Sequence, residues 1–323
     1  MLASPATTIA VGENSFAVID GLAREYEERA VLRVGEIITP EQVARLTRGA
    51  SALIVTLHPL RREHIAALDD SVKIIARAGV GLDTIDVDAA RERGIRVVYQ
   101  PTYATNEVAD QAAALALAAW RRLAGADALV RSAGWGSAAQ VGAVHALQDA
   151  TLGVLGTGRI GRALIRRLTP FVKSVVAFDA YRDEQLEGVE WADNPTQLFE
   201  RSDLLSLHLP LTRETRHILD AEALAAMPTG AVVVNVSRGG LVDEDALADA
   251  LKSGHIGAAG LDVFETEPLD AGAKLRAAPN LLLSPHVAWY SIESGDRLAR
   301  WSIDDAVSYT TASTIENGAW AWA

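Results

Sequence analysis

Short apolar runs alternate with amphipathic stretches over most of this chain, and the two periods predict a succession of buried strands and helices. In the first hundred residues Ala52-Leu-Ile-Val-Thr56, Val72-Lys-Ile-Ile-Ala76 and Ile95-Arg-Val-Val-Tyr99 read as strands. Between them, Pro40 to Leu46 reads as a helix with proline at its start and Arg61 to Leu68 as a second. Asp86 to Arg93 is a third, stopped by Gly94. Pro101 marks a break. Asn106 to about Leu123, rich in Ala and Leu, is strongly helical, and its apolar character suits burial between domains or subunits. Residues 131–150, rich in Gly, Ala and Ser around Trp135, read as a loop. Further strands follow at Thr151–Leu155, Val175–Phe178, Leu204–Leu209, Ala231–Val236, Ala258–Val263 and Leu281–Ser284, with a last helix over roughly Ile292 to Thr310. Near-continuous apolar strands alternating with helices predict an α/β chain with a doubly wound parallel sheet. The simplest arrangement is two units joined twice, with a cleft between.

The run Thr151 to Leu155 ends in Gly156, and Gly156, Gly158 and Gly161 give G-x-G-x-x-G at the start of a helix. The first glycine permits the tight turn, the second lets backbone approach a pyrophosphate, and the third lets helix pack on strand. The helix's free amides and positive dipole end then face the phosphates. Asp179 ends the next strand about 20 residues on, where a carboxylate binds a ribose diol. Gly156, Gly158, Arg159, Ile160, Gly161 and Asp179 are therefore candidate contacts for a dinucleotide. Asp179 should repel a 2′-phosphate and favour NAD over NADP, with Arg182 close enough to offset that repulsion.

The composition narrows the alternatives. At 323 residues the chain has room for two cores. A net charge of -12 disfavours nucleic acid and anionic membrane as partners. The absence of cysteine excludes disulfides, thiolate metal sites and a cysteine nucleophile, and no metal site is expected. No apolar run approaches the ~18 residues of a membrane span, and no basic segment followed by an apolar one opens the chain, so a cytoplasmic protein is expected.

Ligands of such sheets sit beyond the carboxyl ends of the strands. Arg238, Asp262, Glu265, Glu267 and His286 all follow strand ends and should gather at one rim. Histidine titrates near working pH and can exchange a hydroxyl proton, a carboxylate on its other nitrogen would favour the imidazolium, and arginine offers a fork for a substrate carboxylate. One Arg, one Glu and one His at neighbouring strand ends therefore suit reduction of a 2-keto acid. The residues leave open which glutamate pairs with the histidine. His64, His145 and His255 read as surface positions, and the place of His286 after a strand of the same sheet distinguishes it. Arg77-Ala-Gly-Val-Gly-Leu-Asp83 is a glycine-rich turn after a strand, able to present amides to an anion or to serve as a plain connection.

Four segments carry a resemblance: Thr151-Leu-Gly-Val-Leu-Gly-Thr-Gly-Arg-Ile-Gly161, Val234-Asn-Val-Ser-Arg-Gly-Gly-Leu-Val-Asp243, Gly260-Leu-Asp-Val-Phe-Glu-Thr-Glu-Pro268 and Ser284-Pro-His-Val-Ala288. The chain resembles the D-isomer-specific 2-hydroxyacid dehydrogenase family, in order from about Val72 to Tyr290. The resemblance implies an NAD-dependent oxidoreductase that interconverts a 2-keto acid and a D-2-hydroxy acid. It implies that Arg238 binds the substrate carboxylate, that His286 is the acid/base and that Glu267, not Glu265, pairs with it. Arg77, Val80 and Gly81 match the family's substrate loop. Asp262 and Asn235 to Ser237 fall on the nicotinamide side, and His208 and Thr212 where the chain passes the cofactor. The implied fold is a Rossmann cofactor domain, 102–288, inserted in a flavodoxin-like substrate domain, 1–101 with 289–323, and the implied partner is a second copy, a homodimer through the 106–123 helix.

The stretch His286-Val-Ala-Trp-Tyr-Ser291 resembles the C-terminal-binding-protein branch, NAD-dependent transcriptional corepressors with dehydrogenase folds. A nicotinamide-sensing scaffold with little turnover is therefore the alternative. Tyr99 stands where the family usually has Asn, Ala180 where it often has Pro, and the tail ends Ala-Trp-Ala-Trp-Ala, which leaves the substrate open. Trp289, three residues past His286, can wall a substrate pocket or serve as a core aromatic, with Tyr103 a candidate for the opposite side.

Overall fold

The computed structural model describes residues 7–12 and 19–322, and the chain divides into two units: the described residues through Tyr103 together with those from Ser291, and Ala104–Tyr290. The first unit begins β1 (Thr7–Gly12), α1 (Ile19–Glu25), β2 (Ala30–Gly35), α2 (Pro40–Thr47), β3 (Ala52–Val55), α3 (Arg62–Ala66), β4 (Ile74–Arg77), α4 (Val87–Glu92) and β5 (Arg96–Tyr99). Local chemistry sets the helix starts. The Thr39 hydroxyl accepts from the Gln42 amide, the Gln42 side chain accepts from the Thr39 amide, and Pro40 opens α2. At α4 the Asp86 carboxylate accepts from the Ala89 amide at 2.8 Å. Strands β3 and β4 are buried at every position, whereas β2, at the sheet edge, is exposed at Val31, Arg33 and Val34 and has its apolar run broken by Arg33.

The second unit holds α5 (Thr105–Trp120), α6 (Leu123–Ala133), α7 (Ala138–Val141), β6 (Thr151–Leu155), α8 (Arg159–Leu168), β7 (Ser174–Phe178), β8 (Glu190–Trp191), α9 (Pro195–Glu200), β9 (Leu204–Leu207), α10 (Ala221–Ala226), β10 (Ala231–Asn235), α11 (Glu244–Ser253), β11 (Ile256–Leu261) and β12 (Leu281–Leu283). Its seven-stranded sheet runs β12-β11-β10-β9-β6-β7-β8, all parallel. The order reverses between β6 and β9, so the crevice at their carboxyl ends is the switch point where such sheets bind ligands. One face packs Leu115, Leu164 and Leu168 of α5 and α8, and the other packs Leu198, Leu224 and Leu247 of α9, α10 and α11. Each fully buried leucine contributes about 1.5–3 kcal/mol.

Two sequence expectations change here. Residues 131–150 are not all loop: α6 runs to Ala133, ends at Gly134 in the left-handed region, and is followed by α7. The Ala and Leu content at its start favours helix even though α6 buries no residue. Conversely, α5 buries Ala109, Ala112, Leu115, Ala116, Ala119 and Trp120 within its own unit, where it packs on α8, β10 and β11. Its apolar face is therefore taken by the sheet.

The chain returns to the first unit through α12 (Ile292–Ala312) and β13 (Ala319–Trp320). The first unit's sheet runs β13-β5-β4-β3-β1-β2, parallel except for β13. Asp305, fully buried, accepts from the amides of Glu316, Asn317 and Gly318 and from the Gln100 side chain. Trp320 and Trp322 both stack on the Arg96 guanidinium, at 4.4 and 5.5 Å. The unusual Ala-Trp-Ala-Trp tail thus adds a two-residue strand, and its alternate tryptophans hold one arginine. Among the described residues no helix is long and apolar enough to cross a membrane.

Candidate active site

The glycine turn after β6 is shaped by neighbouring backbone. Gly156 has φ +98°, and a Cβ there would come within 2.6 Å of the His208 carbonyl. A Cβ at Gly161 would overlap the Gly156 carbonyl, while one at Gly158, the N-cap of α8, meets nothing within 4 Å. The turn is closed on the protein side and open at the helix N-terminus, the shape a pyrophosphate requires. The amides of Arg159 and Ile160 open that helix. The Asp179 carboxylate accepts from the Thr157 amide at 2.7 Å and from the Tyr181 amide at 2.9 Å, so it is fixed at the edge of the same turn. Arg182 lies 2.9 Å from the Glu184 carboxylate and stacks at 5.2 Å on the Trp191 ring. These residues fit a dinucleotide with a free ribose diol.

On the other side of the switch point, the His208 amide donates to the Leu155 carbonyl at 2.7 Å. Its Nε2 bonds the Ser206 hydroxyl at 2.9 Å, and its Nδ1 is enclosed without a hydrogen-bond partner among the described residues. Burial pushes this imidazole down to about 4, so it is neutral at working pH. Thr212 is exposed, in a turn where its amide donates to the Thr215 hydroxyl. After β10, the buried Asn235 accepts from the Ser237 amide at 3.0 Å and donates to the Arg238 carbonyl at 2.8 Å. Asn235 thereby sets the turn that presents Arg238, whose Nη1 donates to the Ser237 carbonyl at 2.7 Å.

Glu267 and His286 meet at 2.7 Å, Oε2 to Nδ1, while Glu267 Oε1 accepts from the Phe264 amide at 3.0 Å. Burial raises the Glu267 carboxyl, but the His286 hydrogen bond, the Phe264 amide and the charges of His286 and Arg238 outweigh it and hold it below its ordinary value. Of the two acids that the residues left open, Glu267 is the one on His286, and Glu265 bonds His217 instead.

His286 itself has φ +55°, a left-handed conformation that a non-glycine residue keeps only where its surroundings impose it. Asp262 supplies much of that constraint. Its carbonyl accepts from the His286 amide at 2.7 Å, and its carboxylate from the amides of Val287 at 3.1 Å and Ala288 at 2.7 Å and from the Ser284 hydroxyl. Ser284 in turn accepts from Gln111 of α5 at 3.1 Å. Asp262 is fully buried, and its carboxylate shapes the histidine turn from beneath. The Trp289 indole N–H donates to the His286 carbonyl at 3.1 Å.

In the first unit, Arg77 is buried beneath its own turn. Its Nε donates to the Gly81 carbonyl at 3.0 Å and its Nη1 bonds the Ala78 carbonyl, while Val80 stands exposed at the tip. The arginine holds the turn's shape and leaves its outer edge to Val80 and Gly81. Two other sequence expectations are corrected. Tyr103 is 5% exposed, its carbonyl accepting from Arg297, and is a packing residue. His64 is buried and bonds the Ile38 carbonyl, so it is not a surface position. Gln111, Ser284 and His217 carry no signal of their roles in the sequence, because each acts through contacts that no short motif announces.

Residues 113–288 match the family model of the D-isomer specific 2-hydroxyacid dehydrogenase NAD binding domain. The chain belongs to the D-isomer-specific 2-hydroxyacid dehydrogenase family. It is 40% identical to a D-3-phosphoglycerate dehydrogenase of Mycobacterium bovis over 91% of this chain and 53% of that protein, and so spans about half the length of that relative. A hydroxypyruvate reductase of Thermotoga maritima is 37% identical over 81% of this chain and 86% of its own. Among solved structures, a glyoxylate reductase from Paecilomyes thermophila superposes with a TM-score of 0.86 at 29% identity, covering 98% of each chain. The family match makes the second unit an NAD-binding domain.

Proposed function

We propose that the chain is an NAD-dependent reductase of small 2-keto acids to D-2-hydroxy acids. The observation that carries this reading is the grouping of Glu267, His286 and Arg238 beyond the strands that also carry the glycine turn. When bound at the glycine turn, NADH would supply a hydride to the keto carbon. As that bond forms, the carbonyl electron pair moves onto oxygen, which needs a proton. Glu267 occupies Nδ1 of His286, so Nε2 is the nitrogen that delivers it. Glu267 holds the ring in place through Nδ1, and Arg238 binds the substrate carboxylate with its fork and polarises the adjacent keto oxygen. The turn Arg77–Gly81 is a further substrate-binding element, shaped by the buried guanidinium. The names of the relatives, dehydrogenases and reductases, support an enzyme over a nicotinamide-sensing scaffold.

NADH is the cofactor of choice in this reading. Asp179 would repel a 2′-phosphate, and Arg182, engaged by Glu184 and Trp191, does not offset it. The partner is a second copy, through α6 and the loop after it: α6 buries nothing, and Leu123, Val130 and the 81%-exposed Trp135 leave an apolar surface there. Such an enzyme would draw on the cytoplasmic nicotinamide pool. Steady-state oxidation of NADH and NADPH with a panel of 2-keto acids tests the proposal. Turnover with at least one keto acid and a higher kcat/KM for NADH is expected, and no turnover with any of them would overturn it.

A further inference from the structure

Beside the His286–Glu267 pair stands a second histidine–glutamate pair that the reaction does not use. His217 Nε2 bonds Glu265 Oε1, and Arg216 lies 3.7 Å from the same oxygen. We infer that His217 is a positioning residue that ties the loop carrying Glu267 to the turn carrying Arg238. The inference rests on the roles proposed above for those two residues.

The tie runs through backbone on one side and side chain on the other. The His217 amide donates to the Gly240 carbonyl at 2.8 Å, two residues past Arg238. Its ring holds Glu265, two residues before Glu267. His217 has φ +50°, the left-handed region again, and that backbone lets one residue face both segments. The two segments touch directly: a Cβ at Gly239 would overlap the Phe264 carbonyl and the Glu265 amide. Glu265 is also held by its own amide, which donates to Glu244 Oε1 at 2.6 Å. Removing the His217 ring leaves that bond in place and frees the loop on the Arg238 side.

Both partners are half-buried, with side chains 35% and 29% exposed, and pairs of that kind add little to stability. The contact sets a distance instead. A carboxylate and a guanidinium that address one substrate must keep their separation, and small displacements of positioned groups cost rate steeply.

The test uses the full chain, with NADH oxidation by its best keto acid, NADH affinity from fluorescence, and Tm. His217→Ala and Glu265→Ala are each expected to lower kcat about tenfold and to raise the keto-acid KM, with NADH affinity and Tm unchanged. His217→Gln, whose amide reaches where Nε2 stands, should recover most of the loss. The double variant should be no worse than either single one, because both remove the same contact. Normal kinetics in His217→Ala, additive losses, or a fall in Tm that His217→Gln does not repair would overturn the inference. His286→Ala is assayed in parallel. If it is inactive while His217→Ala is normal, only the tie fails, and if it turns over normally, the acid–base reading falls with it.

Discussion

Between Gly156 and Asp179 the working groups are backbone amides and missing side chains, whereas between Asp262 and Trp289 they are side chains that hold one strained residue. Both segments lie at the carboxyl ends of the same sheet. The first is complete once three glycines and a carboxylate fall at the right spacing, because the peptide unit itself is the ligand. The second needs a histidine in the left-handed region, and other residues of the segment hold it there: the carbonyls of Asp262 and Ser284 on its amide, Trp289 on its carbonyl, Glu267 on its ring. Variants of the first segment should therefore change how cofactor binds, and variants of the second how fast the proton moves.

The largest effect belongs to His286→Ala. Loss of a positioned acid costs ~10²–10⁴-fold in kcat, and NADH affinity should be unchanged because the residue contributes no part of the glycine turn. Fluorescence titration and steady-state kinetics on the same preparation check both halves, and near-normal turnover would end the proton assignment. Glu267→Gln tests the other partner through pH. A carboxyl held below its ordinary value keeps its charge above that lowered value and loses it as pH falls through it, so the parent's pairing persists below the ordinary carboxyl value of 4.5. In the glutamine variant that acid-side dependence should vanish. Superimposable profiles would remove Glu267 from the mechanism.

Asp262→Asn separates shaping of the histidine turn from contact with the cofactor. The carboxylate accepts two backbone amides, and an asparagine must turn its own N–H₂ toward one of them. A buried donor left unpaired costs about 1–3 kcal/mol, which, appearing in kcat, is about 5- to 150-fold. NADH affinity should hold. If the affinity falls and kcat does not, the residue belongs to the cofactor side. Gly161→Ala is the mirror experiment. Its methyl would overlap the Gly156 carbonyl, and overpacking of about 1–3 kcal/mol should weaken NADH binding while kcat at saturating NADH survives.

This contrast also governs what the sequence discloses. Glycine spacing and apolar strands such as Leu204–Leu207 and Ala231–Asn235 are local, and a reader of the chain finds them. Strand β2 hides because Arg33 cuts its apolar run to three residues, and β13 because two residues form no run. Arg238, Glu267 and His286 could be nominated only as strand-end residues, since their meeting spans 48 positions of chain and two intervening strands. His217 gave no signal: its use depends on a left-handed backbone and on a partner far along the chain. Asp262 is legible as a rim carboxylate, but its hold on the amides of Val287 and Ala288 is not.

The smallest expected effect is at Trp289, where two functions are separable. As a pocket wall its indole would rank substrates by size, each buried methylene counting ~0.8 kcal/mol. As a brace it donates N–H to the His286 carbonyl, and the loss of such a bond costs about 0.5–1.5 kcal/mol. Trp289→Phe distinguishes them, because phenylalanine keeps an apolar ring at the position and removes the donor. Its T-shaped contact with Tyr290, at 5.6 Å between ring centroids, gives the ring a neighbour to pack on after substitution. The brace predicts a fall in kcat of about 2- to 12-fold, equal for pyruvate and for larger keto acids, with the order of their KM values intact. The wall predicts an unchanged kcat and a reordering of KM by side-chain length. The hydrogen bond is specific in direction and ends on the one residue whose backbone is strained, so the uniform loss is the expected result; a reordered KM series with kcat intact would return Trp289 to the pocket.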